Sequence, residues 1–140
     1  MAVTQAICSS FKEECLEAIH DFSSDTFKMA LYDRTAASLG ASTTAYTSTG
    51  EASGTGYTAG GAEIAVTSGY PQLSGTVAEI RFDNEAWTSA SFTAGAALIY
   101  NSSKSDRAVC VLDFGTNRTV TNGTFTVEFP TALSATIRLS

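Results

Sequence analysis

The sequence predicts a mainly β protein, an antiparallel β-sandwich or flattened barrel with one short N-terminal amphipathic helix. Three observations carry that prediction. Apolar residues alternate with polar ones at period two in several separate segments, the mark of strands with one buried face. Two short, nearly continuous apolar runs, 96–100 and 108–114, suit buried central strands better than helices. Only one segment, close to the N-terminus, shows the helical period.

That helix is expected over 10–22. Ser10 and Glu13 have the S-x-x-E spacing of a capping box, and Phe11, Cys15, Ala18, Ile19 and Phe22 form one apolar stripe. Glu13, Glu14 and Glu17 would load the opening turns with negative charge, and His20 would sit near the positive-seeking C-terminal end. Ser23-Ser24-Asp25 stops the pattern. The first strand follows over 26–32, where Phe27, Met29 and Leu31 alternate with Lys28, Ala30 and Tyr32 as a half-buried element.

From 33 to 61 the chain changes character. Between Asp33 and Gly61 five glycines sit among Ala, Ser and Thr, and Leu39, Tyr46 and Tyr57 are the residues able to bury a face. A long surface excursion or contact arm is expected there, with an edge strand around 43–47. The β body is expected over 62–140. Within it Ala78, Ile80 and Phe82 alternate with Glu79 and Arg81, and Asn122-Gly123 between two Thr-rich segments signals a tight hairpin turn. Phe125, Val127 and Phe129 would face inward until Pro130 ends the strand, and Ala135, Ile137 and Leu139 would form a last strand. The expected core comprises Phe27, Met29, Leu31, Ile80, Phe82, Leu98, Val109, Val111, Phe125, Val127, Phe129 and Ile137. At 140 residues the whole chain, 1–140, fits a single domain.

Composition narrows function by exclusion. Charged residues are only 16% of the chain, and 21 Ala, 20 Thr and 17 Ser stand in their place. A net charge of −6 argues against nucleic acid, whose phosphates call for clustered Lys and Arg. Residues 1–5 carry no basic residue and precede no long apolar stretch, so no secretory signal is expected. The run 94–100 is far too short to span a bilayer. A soluble product of the cytosol is therefore expected, with no membrane partner. Cys8, Cys15 and Cys110 then read as free thiols, and the sequons at Asn101, Asn117 and Asn122 as products of a Ser/Thr-rich composition.

No catalytic, cofactor or metal site emerges. Gly54-Thr55-Gly56-Tyr57-Thr58-Ala59-Gly60-Gly61 is glycine-rich, yet it lacks the Lys of a P-loop and the strand and helix neighbours of a dinucleotide fingerprint. A turning loop is the plainer reading. His20 is the single histidine and stands in the expected helix, without a nucleophile motif. Cys8, Cys15, His20 and Cys110 have zinc-binding chemistry at spacings that match no compact zinc motif. Asp83 and Glu85 could face one side of an extended chain as a carboxylate pair, although a solvated rim beside a turn is the plainer reading. Trp87, Phe92 and Tyr100 could stack on sugars or fill a core or an interface.

Several blocks taken together resemble a family of small virion structural proteins of tailed bacteriophages. They are Thr26-Phe27-Lys28-Met29-Ala30-Leu31-Tyr32, the glycine-rich block just quoted, Trp87 with Phe92-Thr93-Ala94, and Ala97-Leu98-Ile99-Tyr100-Asn101. Ala108-Val109-Cys110-Val111-Leu112-Asp113-Phe114-Gly115 and Gly123-Thr124-Phe125-Thr126-Val127-Glu128-Phe129-Pro130 complete the set. The resemblance covers about 10–139 and implies a non-enzymatic particle component without cofactor. The expectations that follow are a capsid decoration (cement) protein of the virion, bound to the major capsid protein or to other virion structural proteins, and trimeric. A tail, neck or fibre-base protein and a carbohydrate-binding module are the alternatives. The family brings no catalytic motif to carry over.

Overall fold

In the computed structural model, residues 2–129 and 137–139 are described. Half of the chain is strand and 6% helix, arranged as two antiparallel sheets with sandwich-like packing rather than a closed barrel. The strands are β1 (Ala6–Ile7), β2 (Phe27–Tyr32), β3 (Ala62–Ile64), β4 (Gln72–Ser74), β5 (Val77–Ile80), β6 (Glu85–Asn101), β7 (Arg107–Val127) and β8 (Ile137–Leu139), with helix α1 at Ser9–Leu16. The large sheet runs β1-β7-β6-β2-β3 and the small one β4-β5-β8. Pro130 and Ala135, expected to end and begin strands, lie outside the described residues.

All twelve residues of the expected core are buried. Period-two alternation finds them because a strand sends successive side chains to opposite faces. Between the sheets, Phe22 stacks on Phe27 at 4.6 Å, and Phe82 lies 5.9 Å from Phe27 and 6.2 Å from Phe129.

The helix is shorter than expected and starts differently. It runs over eight residues from an N-cap at Cys8 that makes no side-chain cap bond. Ser10 lies inside the helix, its hydroxyl buried with no hydrogen-bond partner among the described residues, so the expected capping box does not form. Glu13 and Glu14 fall in the second turn, and Glu17 is the C-cap. Ala18 then adopts φ 59°, while the Ala18 and Ile19 amides donate to the carbonyls of Cys15 and Glu14. This is a Schellman closure with alanine where glycine is usual. His20 and Phe22 therefore belong to the connection that follows, not to the helix.

Strand β2 is buried on both faces. Ala30 and Tyr32 are as inaccessible as Met29 and Leu31, because β2 lies inside the sheet and the segment 33–61 covers its second face. The expected hairpin turn at Asn122-Gly123 is instead continuous strand. Gly123 pairs with Ala90 of β6, and Asn122, at φ 46°, is a surplus residue between the pairs Phe92–Val120 and Ala90–Gly123. The bulge uses a positive φ at Asn122 alone, whereas a type I′ turn would need one at Gly123 as well. A wider irregularity lies between Ala94–Arg118 and Ala96–Asp113, where β7 carries the extra residues.

Candidate functional site

The segment 33–61 is not a free arm. It forms no strand around 43–47, only an isolated bridge from Ala45 to Arg107, yet it is fastened to the large sheet. The Ala52 amide donates to Leu31 O (2.8 Å) and the Asp33 amide to Gly50 O (2.9 Å). Ala37, Leu39 and Ala52 are buried under it.

Glu51 is the hub of this attachment. Its Oε1 accepts from the Tyr57 hydroxyl (2.6 Å) and the Gly60 amide (2.7 Å), and its Oε2 accepts from the Tyr46 hydroxyl (2.6 Å). Tyr57 in turn accepts the Leu31 amide at 2.9 Å, so a phenol replaces a strand carbonyl at the end of β2. Tyr32 donates to Thr47 O and Tyr100 to Gly60 O, at 2.7 and 2.6 Å. Burial raises all four phenols above the ordinary tyrosine range, Tyr100 to about 12, and the Glu51 carboxylate adds to each shift. They stay protonated donors at any physiological pH.

Sequence reasoning missed Glu51. The available signal was its isolation, since it is the one charged residue between Thr35 and Gly61. A lone carboxylate in an uncharged stretch with tyrosines on either side is a candidate for inward use. Turning it inward leaves an outer surface without formal charge, formed by exposed Ser42, Thr44, Ala45, Ser48, Thr49 and Ser53 among others.

The glycine-rich block serves this packing. At Gly61, φ 79°, a Cβ would overlap the Met29 carbonyl oxygen, and at Gly54 one would overlap that of Ser91. The Gly60 amide already binds Glu51. These glycines allow the segment to press against backbone.

The remaining candidates are tied into the scaffold. His20 has a fully buried side chain between Glu14 and Asn101. The four zinc-type donors are not gathered, and no metal-holding group of His, Cys, Asp or Glu occurs among the described residues. Cys8 points at Gly40 O, and burial pushes the thiols of Cys8 and Cys110 up to about 11 and about 12. Cys8, Cys15 and Cys110 are free thiols in the structure. Asp83 accepts from Thr67 (2.7 Å), while Asn84 beside it accepts the Phe129 amide (2.7 Å), so this turn braces the small sheet's approach. Trp87, Phe92 and Tyr100 are all in the core, at 6, 5 and 3% exposure. They present no ring face to a sugar and no surplus for an interface.

On the far side of the fold an apolar trough of about 230 Å³ opens between α1 and the small sheet, lined by Phe11, Cys15, Phe22, Ile80, Ile137 and Leu139. Leu16 is 91% exposed nearby. No helix among the described residues is long and apolar enough to cross a membrane.

No family model, no curated protein and no solved structure matches the chain.

Proposed function

We propose that this chain is a non-enzymatic structural component of a tailed-bacteriophage virion, a decoration (cement) protein bound to the outside of the head shell. The sequence blocks that resemble small virion proteins motivate the reading. The observation that carries it is the stretch 36–60, whose exposed side chains carry no formal charge and which Glu51 and four tyrosines hold in one shape. A preformed, uncharged surface docks on protein without desolvating ions and with little ordering cost. The use of His20, the chain's single histidine, as a buried strut supports the non-enzymatic part of the reading. The partner is the major capsid protein, and the copies sit as trimers at lattice three-fold positions.

Deleting 42–54 would not test this surface, because the deletion removes Glu51 and the Ala52 bond to β2. Charge substitutions on exposed side chains do test it. Ser42→Glu, Thr44→Glu and Ser48→Glu together should leave the fold intact and abolish binding to heads that lack the protein. Undiminished binding would remove this surface from the account. Electron microscopy of the particle tests location: hundreds of copies as trimers on the shell are expected, whereas a few copies at the tail or neck would overturn the head assignment.

A further inference from the structure

His20 sits where three parts of the fold meet. Its Nε2 lies 2.9 Å from Glu14 Oε1 of α1, and its Nδ1 lies 3.0 Å from Asn101 Nδ2 at the end of β6. The Asn101 amide cannot turn round freely. Its Oδ1 accepts the Ser103 amide (3.0 Å) and its Nδ2 also donates to Asp25 Oδ2 (2.8 Å). Nδ2 is therefore the donor toward His20, Nδ1 must accept, and the ring carries its proton on Nε2, which donates to Glu14.

We propose that His20 is the pin of an acid-operated latch that loosens the connection 17–26, while Thr26 stays bonded to Ser102 and Ser103 of the β6–β7 turn. A proton taken from solvent onto Nδ1 sets an N–H against the Asn101 amide hydrogens. Rotating the amide would present its oxygen to His20, but would forfeit the Ser103 bond and set oxygen against Asp25. The first outcome costs the His20–Asn101 bond and the second the bonds of Asn101 to Asp25 and Ser103, so each removes a tie between the connection and the turn.

Asp21, next to His20 in the chain, is exposed, and its carboxylate accepts from Ser23 and Ser24. Glu14 keeps its bond to an imidazolium, and Arg107 holds Glu14 Oε2 at 2.7 Å, so α1 stays in place. Lys104, 3.6 Å from Asp25 Oδ1, retains that carboxylate on the turn. Glu79 of β5 lines the same trough as His20 and pairs with Arg138 at 3.5 Å. Burial opposes the charge on Glu14 and Asp25, but hydrogen bonds to His20 and Arg107, and to Asn101 and the Asp21 amide, outweigh it and hold both below the usual carboxylate range. The carboxylates thus remain charged where an imidazole titrates, roughly pH 5 to 8.

The test is solution NMR of the full chain with hydrogen exchange. At neutral pH the ring nitrogens should report an unprotonated Nδ1. As His20 takes its proton, the Asn101 side-chain amide should shift with the same midpoint. Exchange in 17–26, corrected for its intrinsic pH dependence, should rise about tenfold, as local opening allows. In His20→Gln, which offers an acceptor to Asn101 and a donor to Glu14 without titrating, that rise should vanish. A neutral ring protonated on Nδ1, or exchange in 17–26 that ignores the His20 titration, would overturn the latch. Both readouts exist in the unaltered protein, so the outcome does not hang on the variant's folding.

Discussion

Tyr57 stands between Leu31 and Glu51, accepting the backbone amide of the first and donating to the carboxylate of the second. One hydroxyl thereby ends a buried strand and anchors the segment that covers it. Removing either partner leaves buried polar groups exposed to neither water nor protein, which is costlier than the bond itself is favourable.

Glu51→Ala should accordingly destabilise the fold by about 3 kcal/mol, since two phenols and the Gly60 amide lose their acceptor. Tyr57→Phe should cost less, about 1 to 2 kcal/mol, because Glu51 keeps two of its donors. Urea unfolding measures both. Equal losses would show that Glu51 is no hub.

Two glycines with similar backbone angles should respond very differently to alanine. Gly61→Ala should fail to reach the native fold, because its Cβ would overlap Met29 O. Gly69, at φ 92°, has nothing within 4 Å of a built Cβ, so Gly69→Ala should carry only the backbone strain, about 1 to 2 kcal/mol. Thermal denaturation of the pair separates steric overlap from backbone strain.

Ala18→Gly should make the protein more stable. Ala18 is exposed and holds φ 59° at the helix end, a conformation that costs an L-residue about 1 kcal/mol and glycine almost nothing. An increase in melting temperature is expected, and a decrease would mean that the Ala18 methyl makes a contact worth more than the strain.

Asp113 sets a pH window. Its hydrogen bonds from Arg34 and from the Gly115 amide depress its carboxyl from 3.8 to about 2. A depressed carboxyl contributes stability above its unfolded value, and that contribution is lost as pH falls from about 4 through about 2. Asp113→Asn should flatten the stability profile across that interval and leave it unchanged near neutrality in slope. A carboxyl titration of Asp113 observed at 4 would contradict the bidentate pairing with Arg34.

The alternation of Phe27, Met29 and Leu31 reveals a strand because it is a local property of the chain, but its second buried face depends on the segment 33–61, whose Thr47 and Tyr57 bond Tyr32 and Leu31 across 15 and 26 residues. Asn122-Gly123 shows the same limit. Its positive-φ preference was legible, whereas whether a bulge or a turn uses it is decided by the ladder with β6. Ser10 and Glu13 matched a cap in spacing, yet the Cys8 amide bonds Val109 O and ties the chain to β7 just before the helix, so the first turn begins one residue early. His20 stands in no nucleophile motif, and its partners in the fold, Glu14 and Asn101, lie 6 and 81 residues away, where no spacing rule connects them. The site proper, the Glu51 cage, was hidden by composition: tyrosines in an Ala/Ser/Thr stretch read as sparse apolar contacts rather than as donors awaiting one acceptor.

The segment 33–61 leaves the sheet at the end of β2 and returns in β3, which pairs directly with β2 through Met29 and Ala62. Its two ends are thus riveted side by side, and its length is decoupled from the rest of the fold. Lengthening such a closed loop costs little, about 0.6 kcal/mol for each doubling of a flexible insert. Ser48 and Thr49, exposed at its outer turn, are consequently a natural grafting point. A foreign peptide spliced there would leave the strands beneath it in register while standing on the very face proposed to meet the head shell.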